Sequence, residues 1–398
     1  MPKRKQSDDT VSRIIESDLP NPAVKKLKSA SGKTKSKIVD PPQYGTRSSS
    51  LWKVGAHVSA AGGIENAIIN AAAIGANSFA LFVKSQRKWS SPPFSETTVS
   101  NFKARLTDYG YDPRHVLPHG SYLINLGNPD AEKRQKSYDC FLDDLQRCES
   151  LGLLLYNFHP GSTVGKATTD ESISLIAGCI NEAHRATETV VTVLENMAGA
   201  GNIIGGEFTH LAKIIEQVDN KTRVGVCLDT CHMFAAGYDV RTKEGWENIV
   251  TDFEQQVGLS YLRGMHLNDS KMDCNSKKDR HENIGMGHIG IQGFHHILND
   301  TRFQDIPLIL ETPSFEKPEV WATEIAALDG LSGARADELG AVVDGIKDVV
   351  KKAAAGGSTS AAKTKKAPPK KPKAPPKKGK GRKKAKQEDE DSDDDYAE

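Results

Sequence analysis

A short apolar run, a polar turn and a longer amphipathic stretch recur eight times between Leu51 and about Gly330. The apolar runs are rich in β-branched residues, and the stretches between them, such as YDCFLDDLQRCESLG, have helical periodicity. Apolar strands that alternate with helices indicate parallel strands buried on both faces. The predicted strands are residues 52–58, 78–83, 115–119, 153–159, 190–196, 224–229, 261–267 and 307–312.

This number of strand–helix units limits the fold to few architectures. Eight units in roughly 280 residues are the number and size of a (β/α)8 TIM barrel. The predicted fold class is therefore α/β, a TIM barrel with disordered basic extensions at both ends. An open doubly wound sheet is the alternative, but no GxGxxG sequence follows the first strand.

The charge of the chain is unevenly distributed. Residues 1–50 carry 11 Lys/Arg and 5 Asp/Glu, whereas residues 351–398 carry 15 Lys/Arg followed by 8 Asp/Glu. Because the whole chain has a net charge of only +1, the middle is acidic. Both ends are of low complexity and cannot bury a core. We therefore predict a disordered basic extension (1–50), a TIM-barrel domain (51–330), and a helical segment followed by a Lys/Pro-rich disordered tail with an acidic end (331–398).

The basic clusters PKRK and KKLK near the start are typical of a bipartite nuclear import signal. They predict a nuclear location, with the mitochondrion as a second address, and a nuclear import receptor as a partner. A solubilising tail is the alternative interpretation. No apolar run approaches the roughly 20 residues that a membrane-spanning helix needs, so we expect no membrane partner.

Acidic and imidazole side chains end six consecutive predicted strands, beginning with the third. In a barrel, the C-terminal ends of the strands converge on one face. Three further candidates lie in adjacent loops. Any one of these histidines alone could be an ordinary core or surface residue, but six consecutive strand ends favour a metal cluster, because converging charges need compensation. The candidate ligands are His119, His159, Glu195, Asp229, His232, His266, Asp279, His281 and Glu311.

Five imidazoles and four carboxylates can hold more than one divalent ion. This mixture of nitrogen and oxygen ligands suits zinc, and manganese less well. Neighbouring zinc ions lower the pKa of a shared water and neutralise phosphate oxygens. Phosphoester hydrolysis is therefore the natural use of such a site, with amide or sugar chemistry as the competitors.

Two loops near the expected site combine cationic, aromatic and apolar residues. KSQRKWSSPP (84–93) contains Arg87 and Trp89, and HGSYLINLGNP (119–129) contains Tyr122 and Leu123. Such combinations enter the minor groove of DNA and displace a nucleotide from its stack. The alternative, that Trp89 and Tyr122 only pack the loops onto the barrel, stays open from spacing alone.

Several segments together closely resemble the endonuclease IV family of zinc-dependent abasic-site endonucleases. The resemblance covers about residues 51–330 and implies a TIM-barrel endonuclease domain, in agreement with the strand count. The segments that carry it are GAHVSAAGG, HGSYLINLG, NFHPGS, VGVCLDTCH, MHLNDSK, DRHENIGMGHIG and PLILET.

The resemblance implies three zinc ions per chain, and every ligand position has the expected residue type. The implied ligands are His119, His159 and Glu195 for the first ion, Glu195, Asp229, His266 and Glu311 for the second, and His232, Asp279 and His281 for the third. Glu195, which bridges two ions, and Glu311 are the expected catalytic carboxylates.

The resemblance also implies contacts outside the metal cluster. Arg87 and Tyr122 match the loop residues that enter the minor groove and help to flip the abasic sugar, and Leu123 fits beside Tyr122. His57 matches a position close to the site, where we expect it to hydrogen-bond to a ligand.

The reaction implied is hydrolysis of the phosphodiester 5′ to an abasic site in double-stranded DNA, by a hydroxide that bridges zinc ions. The products are a 3′-hydroxyl and a 5′-deoxyribose phosphate, and the same site would trim blocked 3′ ends as a 3′-phosphodiesterase and 3′-phosphatase. We expect a monomer. The rivals are a sugar isomerase on the same barrel and a non-catalytic DNA- or chromatin-binding protein.

Overall fold

The structure, a computed structural model, describes residues 45–314 and 316–357. Its strands are β1 (Lys53–His57), β2 (Ser78–Ala80), β3 (Leu155–Phe158), β4 (Gly161–Ser162), β5 (Val191–Glu195), β6 (Ile203–Ile204), β7 (Val224–Asp229), β8 (Leu262–His266), β9 (Asp269–Ser270), β10 (His281–Glu282) and β11 (Pro307–Leu310). Its helices are α1 (Asn66–Ala73), α2 (Glu96–Asp108), α3 (Ala131–Leu151), α4 (Thr169–Ala186), α5 (Phe208–Gln217), α6 (Thr230–Ala236), α7 (Lys243–Gln256), α8 (Gly290–Ile297), α9 (Pro318–Leu331) and α10 (Leu339–Gly357).

Seven strands form one parallel sheet in the order β2-β1-β11-β8-β7-β5-β3. The segment 115–119, predicted as the third strand, lies between β2 and β3 but forms isolated bridges only, because Pro118 has no amide hydrogen for a regular ladder. His119 pairs with Phe82 on one side and with Asn157 on the other. These bridges join the two edges of the sheet, and the predicted TIM barrel is confirmed.

The helices between the strands begin and end at residues suited to those positions. α4 starts with a capping box, in which Thr168 accepts a hydrogen bond from the Glu171 amide and the Glu171 side chain accepts one from the Thr168 amide. Asp130 caps the start of α3, where its carboxylate accepts from two backbone amides, and Gly152 caps the end of α3 with φ +75°. Local sequence thus sets the length of the helices that surround the sheet.

Apolar side chains fill two regions. The larger cluster contains residues of both the strands and the helices, and it packs the helices onto the sheet. A second cluster takes one residue from each of six positions around the barrel, so it fills the interior below the C-terminal ends of the strands. Its members are Ala80, Leu117, Leu155, Val193, Cys227 and Ile309.

Described residues on both sides of the predicted 51–330 domain contact the barrel. The Arg47 guanidinium lies 4.1 Å from the centroid of the Tyr111 ring, so this residue of the predicted extension contacts the barrel. After the last barrel helix, α10 contributes one face to the larger core cluster. The residues on that face are Leu339, Ile346, Val350 and Ala353.

Several predictions for the two ends fall on residues 1–44 and 358–398, which lie outside the described residues. These are the basic clusters near the start, the Lys/Pro-rich tail and the closing acidic run. The nuclear location, the second mitochondrial address and the import receptor therefore stay predictions. Within the residues that the structure describes, no helix is both long and apolar enough to cross a membrane.

Arg223→Ala is expected to lower the free energy of unfolding by about 3 kcal/mol, because a buried guanidinium satisfies several buried carbonyls. Arg223 is 8% exposed and donates to the carbonyl oxygens of His184, Thr187 and Val190 at 2.7–3.1 Å. Urea unfolding followed by circular dichroism measures the loss. The control Arg185→Ala removes an exposed guanidinium and should change stability by less than about 0.5 kcal/mol. Equal losses in the two variants would contradict this account of Arg223.

Candidate active site

The predicted ligands lie in one layer at the C-terminal end of the barrel. Side chains alternate along a strand, so a residue two positions after an interior residue also points inward. The interior cluster contains Leu117, Val193, Cys227 and Ile309. The residues two positions later are His119, Glu195, Asp229 and Glu311. Strand geometry therefore places these four predicted ligands directly above the apolar interior.

The other predicted ligands reach the same layer from strand ends and loops. His266 is the last residue of β8, and His159 directly follows β3. His232 lies in the first turn of α6, Asp279 lies in the connection between β9 and β10, and His281 is the first residue of β10. The structure thus brings all nine predicted ligands to one end of the barrel.

Glu195 lies at the centre of this layer and is completely buried. Its Oε2 lies 3.2 Å from His119 Nε2 and 3.5 Å from His159 Nε2. Its Oε1 lies 3.0 Å from His266 Nδ1. Both carboxylate oxygens are therefore in contact with imidazoles, one on each side.

The ligand atoms gather into groups small enough for single cations. Within each group, the atoms lie within 4.8 Å of one another. Three of the groups have the same members as the three sets implied by the resemblance. They are His119, His159 and Glu195; Glu195, Asp229, His266 and Glu311; and His232, Asp279 and His281.

A fourth group exchanges a predicted ligand for a thiol. It joins Cys231 to Asp229 and His281. Burial raises the pKa of the Cys231 thiol to about 12, so the thiol is neutral at physiological pH. The three groups that match the implied sets consist of histidines and carboxylates alone.

The hydrogen bonds of the histidines test whether the site fits a cation. His119 Nδ1 lies 2.8 Å from the carbonyl oxygen of Gly120, and His232 Nδ1 lies 2.9 Å from that of Asn196. Donation from Nδ1 to a carbonyl leaves the lone pair on Nε2. His232 Nε2 lies 3.0 Å from Asp279 Oδ2 but has no hydrogen-bond partner among the described residues. A lone pair that faces a carboxylate oxygen fits a shared divalent cation, and the donors are those that zinc prefers.

Burial and neighbouring charges act against each other on the two central carboxylates. Burial opposes the ionisation of Glu195, but the imidazoles of His266 and His159 hold its pKa well below the usual range. At Asp229 burial has the larger effect and raises the pKa, although the nearby His232 imidazole acts in the opposite direction. A divalent cation between these carboxylates would favour the ionised form of both.

Asparagines that the sequence analysis did not identify orient the carboxylates. Asn157 Nδ2 donates to Glu195 Oε2 at 2.6 Å, and Asn268 Nδ2 donates to Asp229 Oδ2 at 2.7 Å. The Asn268 side-chain oxygen also accepts from the Glu311 amide at 2.8 Å. Asn157 lies two residues before His159 and Asn268 two residues after His266, but this spacing alone does not distinguish them from other polar residues near strand ends.

Asn157→Ala is expected to lower zinc affinity by about 10- to 100-fold, because the amide that orients Glu195 is lost. Competition with a chromogenic chelator measures the affinity. Asn101→Ala, at an exposed position on α2, is the control and should leave it unchanged. An unaltered affinity in Asn157→Ala would contradict the orienting role.

His57, predicted to touch a ligand, lies at the end of β1 beside Glu311. Its Nδ1 is 3.1 Å from Glu311 Oε1, and its ring centroid is 4.3 Å from that of Phe82. The structure therefore places His57 at the edge of the cluster, in contact with one predicted ligand.

The two aromatic loop residues differ in their surroundings. Tyr122 is 49% exposed, and its ring centroid lies 5.4 Å from that of His119 and 5.6 Å from that of His159. Trp89 is half-buried, and Lys136 Nζ lies 4.5 Å from its ring centroid. Packing of the loop onto α3 thus accounts for Trp89, whereas the Tyr122 ring lies at the mouth of the cluster.

The other two predicted DNA contacts lie in the same loops. Arg87 is exposed, and Leu123, next to Tyr122, is half-buried. The structure therefore presents the Arg87 cation and the Tyr122 ring to solvent, in loops that follow strand ends of the barrel.

Comparisons with known proteins agree with this arrangement. Residues 68–331 match the family model described as xylose isomerase-like TIM barrel. The chain is 50% identical over 281 residues to "Probable endonuclease 4" of Chlorobium phaeovibrioides, which covers 71% of this chain and 100% of that protein. It is 51% identical over 276 residues to "Apurinic-apyrimidinic endonuclease 1" of Plasmodium berghei, covering 69% of this chain. The aligned part is 54% of the Plasmodium protein, so the chain spans about half the length of that relative.

A solved structure supports the same relationship. The crystal structure of endonuclease IV from Thermus thermophilus superposes with a TM-score of 0.62 at 31% identity. The superposition covers 70% of this chain and 98% of that one. The similarity therefore extends over nearly the whole of the bacterial protein.

Proposed function

The chain belongs to the endonuclease IV family of xylose isomerase-like TIM barrels, and from this premise we propose that it is a DNA repair enzyme that hydrolyses the phosphodiester 5′ to an abasic site. The observation that carries the proposal is the convergence of nine histidines and carboxylates, with buried Glu195 at their centre, beside half-exposed Tyr122. The products would be a 3′-hydroxyl and a 5′-deoxyribose phosphate. Blocked 3′ ends, which present a similar phosphoester, would be processed by the same site.

Three zinc ions per chain are part of this proposal. The residues that would hold them are the three groups defined above, and the unpaired nitrogen of His232 beside Asp279 supports the assignment. When bound, the zinc ions would supply charge neutralisation for the phosphate oxygens and a water of lowered pKa.

The chain's own residues would hold the reacting groups in place. Glu195 and Glu311 are the proposed catalytic carboxylates, because Glu195 belongs to two of the three groups and Glu311 also lies within 4.8 Å of the ligand atoms of His119 and His266. Asn157 and Asn268 orient the carboxylates, and the complete burial of Glu195 keeps bulk water away from the centre of the cluster. His57 would orient Glu311 from the edge. A pre-oriented, poorly solvated set of charges strengthens the electrostatic stabilisation of a transition state.

The exposed loop residues would provide the DNA contacts. The Arg87 guanidinium would bind phosphate or enter the minor groove, and the Tyr122 ring with Leu123 would fill the space left by the displaced nucleotide. Tyr122 lies against His119 and His159, so a sugar displaced into the site would lie next to the cluster.

The rival functions receive less support. A sugar isomerase needs no exposed cation and aromatic ring at the mouth of its site, and the two relatives that are about 50% identical over the aligned residues are named as endonucleases. A non-catalytic DNA-binding protein has no use for nine converging ligands.

Cleavage of a duplex with a single abasic site tests the proposal directly. We expect the zinc-loaded chain, in magnesium-free buffer, to nick the strand 5′ to the lesion and leave a 3′-hydroxyl, which end-labelling and gel mapping would detect. An undamaged duplex of the same sequence is the control. A zinc-loaded chain that leaves the lesion strand intact would refute the proposal, and turnover of ketoses would then be measured.

A further inference from the structure

Residues 84–94, which connect β2 to α2 and are here called the Arg87 loop, contain no helix or strand. A turn bond from the Lys88 amide to the Ser85 carbonyl oxygen lies near its tip, and the Ser121 hydroxyl donates to the Gln86 carbonyl oxygen at 2.7 Å. A loop with so few internal bonds needs support from outside to hold one conformation.

The start of the loop is anchored by a buried cation. The Lys84 side chain is only 2% exposed. Its ammonium group donates to Asp143 Oδ2 at 2.7 Å and to the Cys140 carbonyl oxygen at 2.9 Å, and it lies 3.1 Å from Asp144 Oδ1. Three oxygens of α3 therefore surround the ammonium group.

The end of the loop is anchored by a second cation on the same helix. Arg147, 6% exposed, donates through Nη2 to the carbonyl oxygens of Ser91 at 2.7 Å and Pro92 at 3.0 Å. Its Nε donates to Asp143 Oδ2 at 2.9 Å. The same oxygen of Asp143 thus accepts from both cations, and it links the start of the loop to its end.

The helix that carries this carboxylate is fixed to the barrel. Cys140, Asp143, Asp144 and Arg147 are three to four residues apart, which places them on one face of α3. The Tyr156 hydroxyl of β3 donates to Asp144 Oδ2 at 2.7 Å. The helix that anchors the loop is therefore itself hydrogen-bonded to a strand of the sheet.

We propose that Asp143 is a positioning residue, which joins Lys84 and Arg147 and so holds the Arg87 loop in the conformation that presents Arg87 to the damaged duplex. The inference rests on the proposed function, because the loop is expected to contact DNA. Charge-assisted hydrogen bonds of this kind are stronger than neutral ones, and networks of them are cooperative. Loss of the shared carboxylate would release both ends of the loop from each other.

The test compares Asp143→Asn with Asp139→Asn in the full-length, zinc-loaded chain. Asp139 lies one turn earlier on α3 and is exposed, so each variant removes one negative charge from the same helix. Hydrogen exchange of residues 85–92 is measured by mass spectrometry. Cleavage of a duplex with a tetrahydrofuran abasic analogue gives kcat and KM, and hydrolysis of bis(4-nitrophenyl) phosphate reports on the cluster without DNA contacts.

Asp143→Asn is expected to accelerate exchange in the loop and to raise KM for the duplex about tenfold, because loop placement contributes to DNA binding. We expect kcat and bis(4-nitrophenyl) phosphate hydrolysis to stay within about twofold of the parent values. In an Arg87→Ala background the same substitution should add little to KM, since the residue that it positions is gone. Arg147→Gln, which releases only the end of the loop, should accelerate amide exchange at residues 89–91.

Three results would overturn the positioning role. The first is a rate of loop exchange and a KM in Asp143→Asn that equal those of Asp139→Asn. The second is an increase in KM that is as large in the Arg87→Ala background as in the parent chain. The third is a loss of bis(4-nitrophenyl) phosphate hydrolysis in Asp143→Asn that parallels the loss on the duplex. Hydrogen exchange separates this inference from the proposed function. A parent chain that leaves the duplex uncut refutes the function, whereas unchanged loop exchange in Asp143→Asn refutes the role of Asp143.

Discussion

Glu195→Gln is expected to reduce kcat/KM for an abasic-site duplex by at least about 10⁴-fold. Both carboxylate oxygens contact imidazoles at 3.0–3.5 Å, and Glu195 belongs to two of the three proposed zinc groups. The amide has nearly the same shape but lacks the charge, so the loss should come from the site and not from packing. Single-turnover cleavage measures the rate, and mass spectrometry of the dialysed protein measures the bound zinc.

The matched control for this substitution is Glu188→Gln, which removes an exposed carboxylate shortly before β5. We expect the control to keep full activity and the zinc content of the parent chain. Glu195→Gln should lose about two of the three zinc ions while its thermal unfolding stays cooperative. Retention of more than about a tenth of the activity in Glu195→Gln would contradict the central role of this carboxylate.

Removal of zinc by prolonged chelation is expected to lower Tm by about 10 °C and to abolish cleavage. Glu195 and Asp229 are each completely buried, so the folded chain without a cation retains carboxylates that are poorly solvated and close to each other. A ligand that binds only the folded state stabilises it by about 4 kcal/mol at a thousandfold excess over its Kd. Scanning calorimetry measures the shift.

Addition of zinc to the chelated chain should restore both Tm and activity. Magnesium, which prefers oxygen ligands in octahedral geometry, should shift Tm by less than about 2 °C. Glu195→Gln, as the comparison variant, should show a smaller response to zinc than the parent chain. An unchanged Tm after verified removal of zinc would show that the cluster needs no cation for stability.

The barrel was predictable because its signals are local. Each strand and helix has its own periodicity in the sequence, and the number of units selects the fold. The exception is the segment 115–119, where an apolar run was predicted as a strand although Pro118 prevents a regular ladder. There, the bridge of His119 to Asn157 depends on closure of the sheet, which no local pattern encodes.

The outer contacts of the site were less predictable than the nine candidate ligands. Asn157 and Asn268 could be assigned only after the carboxylates that they touch were placed beside them. The Lys84–Asp143 pair joins residues 59 positions apart in the sequence, between a loop and the middle of a helix. Neither residue is unusual in its local sequence, so their role in anchoring the loop becomes visible only when the structure shows the contact between them.

The local sequence set which residue types end the strands, and thereby the chemical character of the cluster. It did so because each strand places its last residues at the same end of a parallel barrel. The tertiary structure alone decided which of these groups share a cation position, with Glu195 between His119 and His266. Those distances follow from the strand order and from the closure of the sheet through residues 115–119, which are contacts between segments far apart in the chain.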